Sequence, residues 1–266
     1  MSTDFLKVSE AFSNQAPVFD EISTQNKLSD YLRVIFRNEV LFQLRPKSYI
    51  LELNCGTGLD AVFFAKHGHR ILATDNAPGM IEQIGRKIIE NGFEDQLQAE
   101  LLSFHNLNQL EGKKFDHIIS NFGGLNCTDD LKDVLLQLPD LLNDRGKITL
   151  VVMPKLSPWE IIQVFRFKFK TAFRRFGKNS SAQIEGVRFQ CYYYSPRYII
   201  KTLKNEFDLI TLKGIFITVP PEYYKNFVEN YPKLFSLLSK LDNAICRFFP
   251  FTYCCDHYLI TLQKKP

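Results

Sequence analysis

The sequence predicts one α/β domain organised on a mostly parallel sheet. Three observations carry that reading. Short apolar runs of strand type at 49–53, 70–74, 100–104, 115–120 and 148–153 alternate with segments of helical period. The first two runs flank the bend Asn54-Cys55-Gly56-Thr57-Gly58, whose residues tolerate positive φ, so 49–75 reads as a strand–helix–strand unit. Apolar residues make up 45% of the 266, enough for a proper core, yet no apolar run approaches the length that crosses a bilayer.

The elements follow in order. Residues 1–44 read as helical, with Leu28, Tyr31, Leu32, Ile35 and Phe36 at helical spacing and Pro46 closing the run. After the bend, Ala61, Val62, Phe64 and Ala65 give a short helix, and 70–74 returns as a strand ending on Asp75. Pro78 starts a helix through Ile81, Ile84, Ile88 and Ile89, which Asn91-Gly92 ends. Strands at 100–104 and 115–120 follow, then a helix at 129–142, a turn at 143–147 and an apolar central strand at 148–153. A helix at 195–205 and strands at 207–219 and 257–263 complete the pattern. The chain thus divides into an N-terminal helical cap (1–45), a core (46–153) and two insertions (155–194 and 220–255).

The bend suits a nucleotide-like ligand. Gly56 and Gly58 allow close approach, the following helix directs free N–H groups there, and Asp75 sits where an acid can hold a ribose. The position three beyond Gly58 is Ala61, which excludes the dinucleotide pattern, and no Lys follows to make a phosphate loop. What stands is Glu52-x-Asn54-x-Gly56-x-Gly58. It resembles the Glu/Asp-x-Gly-x-Gly-x-Gly turn of the class I S-adenosylmethionine-dependent methyltransferases, with Asn54 for the first glycine.

Other segments extend the resemblance. Phe12 to Phe19-Asp20 is similar to the family's Phe…Ala…Tyr-Asp opening, which folds over the cofactor. Asp75 and Met80 match its Asp-x-Ser-x-x-Met, and Asn106-Leu107-x-x-Leu110 matches the spacing of its adenine-contacting motif. Phe115-Asp116 opens its fourth strand, whose tip carries Asn121-Phe122. The Pro-Pro of amine-methylating relatives is absent there, which argues against a nitrogen acceptor. The resemblance implies a Rossmann-like seven-stranded sheet with strand seven antiparallel. It also implies S-adenosylmethionine as cofactor, held by Phe19, Glu52, Asn54, Cys55, Gly56, Thr57, Gly58, Asp75, Asn76, Met80, Asn106, Leu107, Asn121 and Phe122.

Methyl transfer from a sulfonium needs alignment, exclusion of water and at most one base. Asp256-His257, opening the last strand as a Gly-Asp-His does in similar bacterial enzymes, is the first candidate for that base; His105 is the second. On that topology both insertions emerge over the substrate crevice as lids. In the first, residues 155–178 hold seven basic residues, Lys155, Arg166, Lys168, Lys170, Arg174, Arg175 and Lys178, against Glu160, so the rest of this net +4 chain is net negative. Residues 159–176 read as one amphipathic helix with Ile161, Ile162, Phe165, Phe169, Ala172, Phe173 and Phe176 on its apolar arc. Three roles compete for it: a cap on the crevice, contact with an anionic membrane, or phosphate tracking on nucleic acid. The second insertion carries Leu234, Leu237, Leu238, Leu241 and Ile245 at helical spacing, suited to the lid or to a twin chain in a homodimer.

The six cysteines show no C-x-x-C pair and no ligand spacing with His, so they read as reduced, without structural metal. Residues 1–10 lack the apolar centre of a leader, and the expectation is a cytoplasmic protein. The expected activity is O- or C-methylation of a small apolar or aromatic metabolite. The rivals are a nucleic-acid methyltransferase and a non-catalytic scaffold on the same fold.

Overall fold

Two helices lead the chain, α1 (Thr3–Gln25) and α2 (Lys27–Gln43). Between them Asn26 caps α2 by accepting from the Leu28 N–H at 3.1 Å. The computed structural model describes residues 3–177 and 180–266. Met1, Ser2 and Lys178 of the expectations above therefore lie outside the described residues. Then come β1 (Tyr49–Leu53), α3 (Leu59–Lys66), β2 (Arg70–Asp75), α4 (Pro78–Asn91), β3 (Leu97–Leu101), β4 (Phe115–Ser120), α5 (Leu131–Gln137) and β5 (Leu142–Val152). The first insertion holds two one-turn helices, α6 (Pro158–Ile161) and α7 (Phe169–Ala172), and a hairpin of β6 (Ser181–Ile184) and β7 (Val187–Gln190). α8 (Pro196–Leu203), β8 (Phe207–Ile215), α9 (Phe227–Asn230), α10 (Pro232–Ile245) and β9 (His257–Lys264) end the chain.

Seven strands form one sheet in the order β3-β2-β1-β4-β5-β9-β8, and β9 runs antiparallel to both neighbours. This is the expected topology. The strand order reverses at β1, so the tips of β1, β2 and β4 open a crevice at one edge. Period-two alternation fills both faces: Leu51, Leu53 and Ile118 enter one apolar cluster, Ile50, Ile71 and Ile119 the other. A polar line crosses the buried strands, His117 Nε2 to Thr149 Oγ1 at 2.8 Å and on to Thr261 Oγ1 at 2.9 Å. Burial pushes the His117 imidazole down to about 3, so it is neutral there.

The segment 159–176 departs from the sequence expectation. Instead of one amphipathic helix it is a series of single turns: α6, 3-10 turns at Ile162–Arg166 and Arg174–Phe176, and α7 between them. The break is at Phe167, which adopts φ 56° and closes the preceding turn through its N–H to the Val164 carbonyl. A left-handed residue with a side chain costs about 1–2 kcal/mol, a local term that periodicity does not register. Arg175 is also not on a solvated face: it is buried against Glu160, with which the exposed Arg174 pairs as well. The turn expected at 143–147 is instead part of β5, with Arg145 at φ 57°.

The two insertions differ in placement. The β6–β7 hairpin packs on α1, with Phe189 against Val8 and Ala11 and the Gln190 N–H donating to Asp4 at 2.9 Å. In the second, only the opening stretch around Glu222 and Tyr223 reaches the crevice side. α10 lies instead against α2, with Phe235 edge-on to Tyr31 at 5.6 Å. Asp242 of α10 accepts from the N–H groups of Ile217 and Thr218, which pins the chain leaving β8.

Candidate functional site

At the strand tips lies a hollow of about 170 Å³. β1 and its bend contribute Glu52, Asn54, Cys55 and Gly56; β2 contributes Asp75 and leads to Asn76; Met80 comes from α4, and Asn121 and Phe122 from beyond β4. Ten of the residues expected to hold the cofactor meet here, Phe19 of α1 completing them. Asp75 is tied to the bend: its carboxylate accepts from the Gly56 N–H and the Ala77 N–H, both at 2.9 Å. It makes no ion pair among the described residues. Burial raises its carboxyl, and the N–H groups of Ala77 and Gly56 pull it back in part. A carboxylate has about four lone-pair sites, so capacity remains for two hydroxyls.

The bend itself is built by two different uses of glycine. Gly56 (φ 55°) faces the hollow, where an added Cβ would meet only Phe19 and Met80 at 3.9–4.0 Å. Gly58 (φ 79°) faces the protein, where a Cβ would lie 2.4 Å from Ile84. Its role is to let α3 start close against α4; Thr57 likewise faces the protein, its hydroxyl donating to Asp20 of α1. We expect Gly58→Ala to cost about 2–3 kcal/mol by overpacking, read as a lowered urea midpoint at unchanged m. Asn54, in the usual glycine place with φ 49°, stitches the bend to β4: it accepts from Ser120 Oγ at 2.6 Å and donates to the Asn121 carbonyl at 3.2 Å.

Beneath the bend lies a charged floor. Asp60 of α3 receives Arg37 Nε at 2.7 Å, Arg33 Nη1 at 3.4 Å and Asn121 Nδ2 at 2.8 Å. Glu52 is 3% exposed and lies beside this cluster, its Oε2 without a partner. Burial and the Asp60 charge raise its carboxyl well above the ordinary range, against the pull of Arg37 and Arg33. Arg33 also lies over the Phe122 ring at 4.6 Å. Sequence reading missed Arg33, Arg37 and Asp60. The available signal was two arginines at i, i+4 on the edge of the α2 apolar stripe.

α1 covers the hollow with Phe5, Val8, Phe12 and Phe19. It approaches α4 so closely that a Cβ on Gly79 would lie 2.7 Å from the Ser13 carbonyl oxygen. Asp20 latches it, receiving the Thr57 hydroxyl and pairing with Lys87. Ligand pockets commonly run to roughly 300–1,000 Å³, so a nucleoside-sized ligand requires these rings to lift.

Two further cavities adjoin. One of about 300 Å³ shares Phe5 and Cys127 with the hollow and holds His105, Asn106 and Tyr192. Asn106 is thus beside the hollow, while Leu107 is fully buried in the core. The other, of about 290 Å³, shares Phe19 and Phe122 and is lined by Gln15, Ser29, Glu222 and Tyr223. Glu222 Oε1 is buried without a partner, and burial raises its carboxyl against the opposing influence of His257. Asp256 and His257 line neither cavity. His257 Nδ1 lies 3.0 Å from Asp256 Oδ2, and Asp256 Oδ1 takes Arg175 Nη2 at 2.6 Å and the Ser157 hydroxyl at 3.0 Å. Burial works to raise the Asp256 carboxyl, but Arg175 and His257 outweigh it and hold it well below the usual range. A larger groove of about 650 Å³ runs along α2, β8 and α10, away from the strand tips.

Three features of the hollow suit a sulfonium nucleoside of the amino-acid type. Glu52 Oε2 is an unused buried acceptor fit for an ammonium. Asn76 Nδ2 is an unused buried donor next to Asp75. The space above Gly56 is left open, with Phe19 and Met80 no closer than 3.9–4.0 Å to where a Cβ would stand.

The family model described as a methyltransferase domain matches residues 50–146. A malonyl-[acyl-carrier protein] O-methyltransferase of Hamiltonella defensa is 24% identical over 159 residues, 60% of this chain and 57% of that protein. The match therefore spans little over half of that relative's length. Among solved structures, an assigned S-adenosylmethionine-dependent methyltransferase of Listeria monocytogenes aligns with TM-score 0.60 at 17% identity, over 88% of this chain and 99% of that one. A geranyl diphosphate C-methyltransferase of Streptomyces coelicolor, holding S-adenosyl-L-homocysteine, aligns with TM-score 0.56 at 13% identity, over 88% and 79%. These likenesses show the fold.

Proposed function

We propose that this chain, whose residues 50–146 form a methyltransferase domain on a class I fold, methylates a hydroxyl of a small acceptor with S-adenosylmethionine as donor. The observation that carries the reading is the hollow at the strand-order reversal, where Glu52 and Asn76 keep unused polar atoms beside Asp75 and Gly56. Asp75 would hold the ribose hydroxyls and Glu52 the ammonium, with Met80 and Phe19 packing the rest. Asn121 and Asp60 keep the β4 tip in place through their 2.8 Å hydrogen bond. When bound, the cofactor supplies an electrophilic methyl group on sulfur.

The acceptor occupies the cavity beyond Phe19 and Phe122, its apolar body against those rings and Tyr223. Its hydroxyl faces Glu222. Glu222 Oε1, buried and without a partner, would take up the proton that the acceptor hydroxyl gives up on being methylated. His257 opposes the rise that burial gives this carboxyl, and it lies 3.0 Å from Asp256, which Arg175 holds in turn. The pair Asp256–His257 thus tunes Glu222 and does not itself meet the acceptor. An O-methylating relative supports an oxygen acceptor, and the C-methylating neighbour fixes no rival atom. Lifting of α1 admits the ligands and its return excludes water.

Calorimetry with S-adenosylmethionine and with its demethylated product separates the enzyme from a scaffold: heat with both is expected, and absence of heat with either leaves only the fold. For the acceptor side, Glu222→Gln is expected to lower turnover of a hydroxylated aromatic acceptor at least about tenfold at pH 7 with cofactor affinity unchanged. Because burial raises the Glu222 carboxyl above its ordinary 4.5, activity falls on the acid side at a pH above that value, and the glutamine variant lacks this limb.

A further inference from the structure

The run Phe165-Arg166-Phe167-Lys168-Phe169-Lys170 is exposed at every position. Phe165 and Phe167 are 81% and 83% exposed, and Phe173 and Phe176 stand more than half exposed after them. Such a concentration of phenylalanine in water is not explained by a lid role, since these rings do not line any of the cavities described above. Soluble surfaces rarely leave so much contiguous apolar area uncovered.

The charge around them has one sign. Residues 161–177 contain no acid. Glu160, just before, is 3% exposed and consumed by Arg174 and Arg175, which anchor the segment from below. Arg166, Lys168 and Lys170 have no ion-pair partner among the described residues. The positive φ at Phe167 breaks what would otherwise be a helix and turns successive rings outward.

We propose that this tip is a docking site for an anionic phospholipid surface, with Phe165, Phe167 and Phe169 entering the headgroup–acyl boundary and Arg166, Lys168 and Lys170 meeting phosphate. The inference rests on the surface alone and stands apart from the catalytic reading. Interleaved rings and cations also occur where single-stranded nucleic acid binds. A stacking platform, however, keeps one ring face packed on the protein and offers the other. Phe165 and Phe167, more than four-fifths exposed, are not held flat against the protein: among the described residues the one ring against them is Phe169, edge-on to Phe167 at 6.4 Å, so they stand out as a membrane wedge requires. Trp159, the only tryptophan, precedes the tip and reports on it.

The test is flotation of the full chain with vesicles of phosphatidylcholine alone or mixed equally with phosphatidylglycerol. Partition onto the anionic vesicles is expected to exceed that onto neutral ones by about 100-fold, from three cations near the surface. Raising salt to about 1 M shortens the Debye length to about 3 Å and should remove most of that preference. The double variant F165S/F167S should fail to float while retaining the wild-type circular dichroism and thermal transition. The triple variant R166Q/K168Q/K170Q should treat both vesicles alike. A wild-type chain that stays in solution with anionic vesicles overturns the proposal. So does retention of anionic vesicle binding by the double serine variant, or displacement of the chain from vesicles by stoichiometric poly(U) that itself holds Trp159 in a shifted emission.

Discussion

Replacing Asp75 by alanine is expected to raise the dissociation constant for S-adenosylmethionine by about 100-fold, measured by calorimetry at pH 7.5. Two hydrogen bonds from ribose hydroxyls to a charged acceptor contribute roughly 1.5–3 kcal/mol each, and about 2.7 kcal/mol already corresponds to that factor. The effect has a second origin in the protein. The Asp75 carboxylate also receives the N–H groups of Gly56 and Ala77, so alanine frees the bend that must lie flat beneath the ligand. Asp75→Asn separates the two contributions: its carbonyl oxygen can keep one backbone hydrogen bond, so a smaller loss than for alanine is expected. An alanine variant that binds the cofactor with wild-type affinity would remove Asp75, and with it the assignment of this hollow, from the account.

The largest effect on stability is expected at Arg175. Its side chain is 2% exposed and donates to Glu160 at 2.6 Å, to Asp256 Oδ1 at 2.6 Å and to the carbonyls of Pro154 and Asp256 at 3.0 Å. Removing one partner of a buried ion pair leaves the other charge stranded, so Arg175→Ala should cost about 3–5 kcal/mol at pH 7 by urea unfolding. The pH dependence has a definite sign. In the native chain the Asp256 carboxyl is held below its unfolded value of 3.8, so it adds stability above that pH and loses it as pH falls further. Without the guanidinium, burial acts on the same carboxyl with less opposition, so its value rises. The variant's deficit is then full at neutral pH and shrinks as pH falls through the raised value. The gap between the two proteins should therefore narrow from pH 7 towards pH 4; a gap that widens would place the destabilisation elsewhere.

Most of the sheet was legible in the order of apolar runs and turns, because strand period and glycine bends are local signals. The same locality made Glu52, Gly56, Asp75, Asn76 and Met80 readable as one group: they lie within 52–80 and share one crossover. Boundaries were less secure. The strand at 148–153 extends back to Leu142, because Leu142 and Lys147 both pair with β4 across a bulge and Lys147 also pairs with Gln263 of β9. The segment 159–176 carried a helical period in its apolar residues, yet a single left-handed residue breaks it.

Sequence alone determined the architecture and pointed to the residues that line the hollow at the strand tips, since those depend on patterns shorter than about thirty residues. Only the tertiary structure decided what surrounds that site. Arg33 and Arg37 reach Asp60 because of how α2 is rotated against α3, and Glu222 reaches the neighbouring cavity from nearly two hundred residues away in the chain. It also showed Asp256–His257 to be a buried pair tied to Arg175. Side chains converge through long loop closures and helix rotation, and neither leaves a period in the sequence to read.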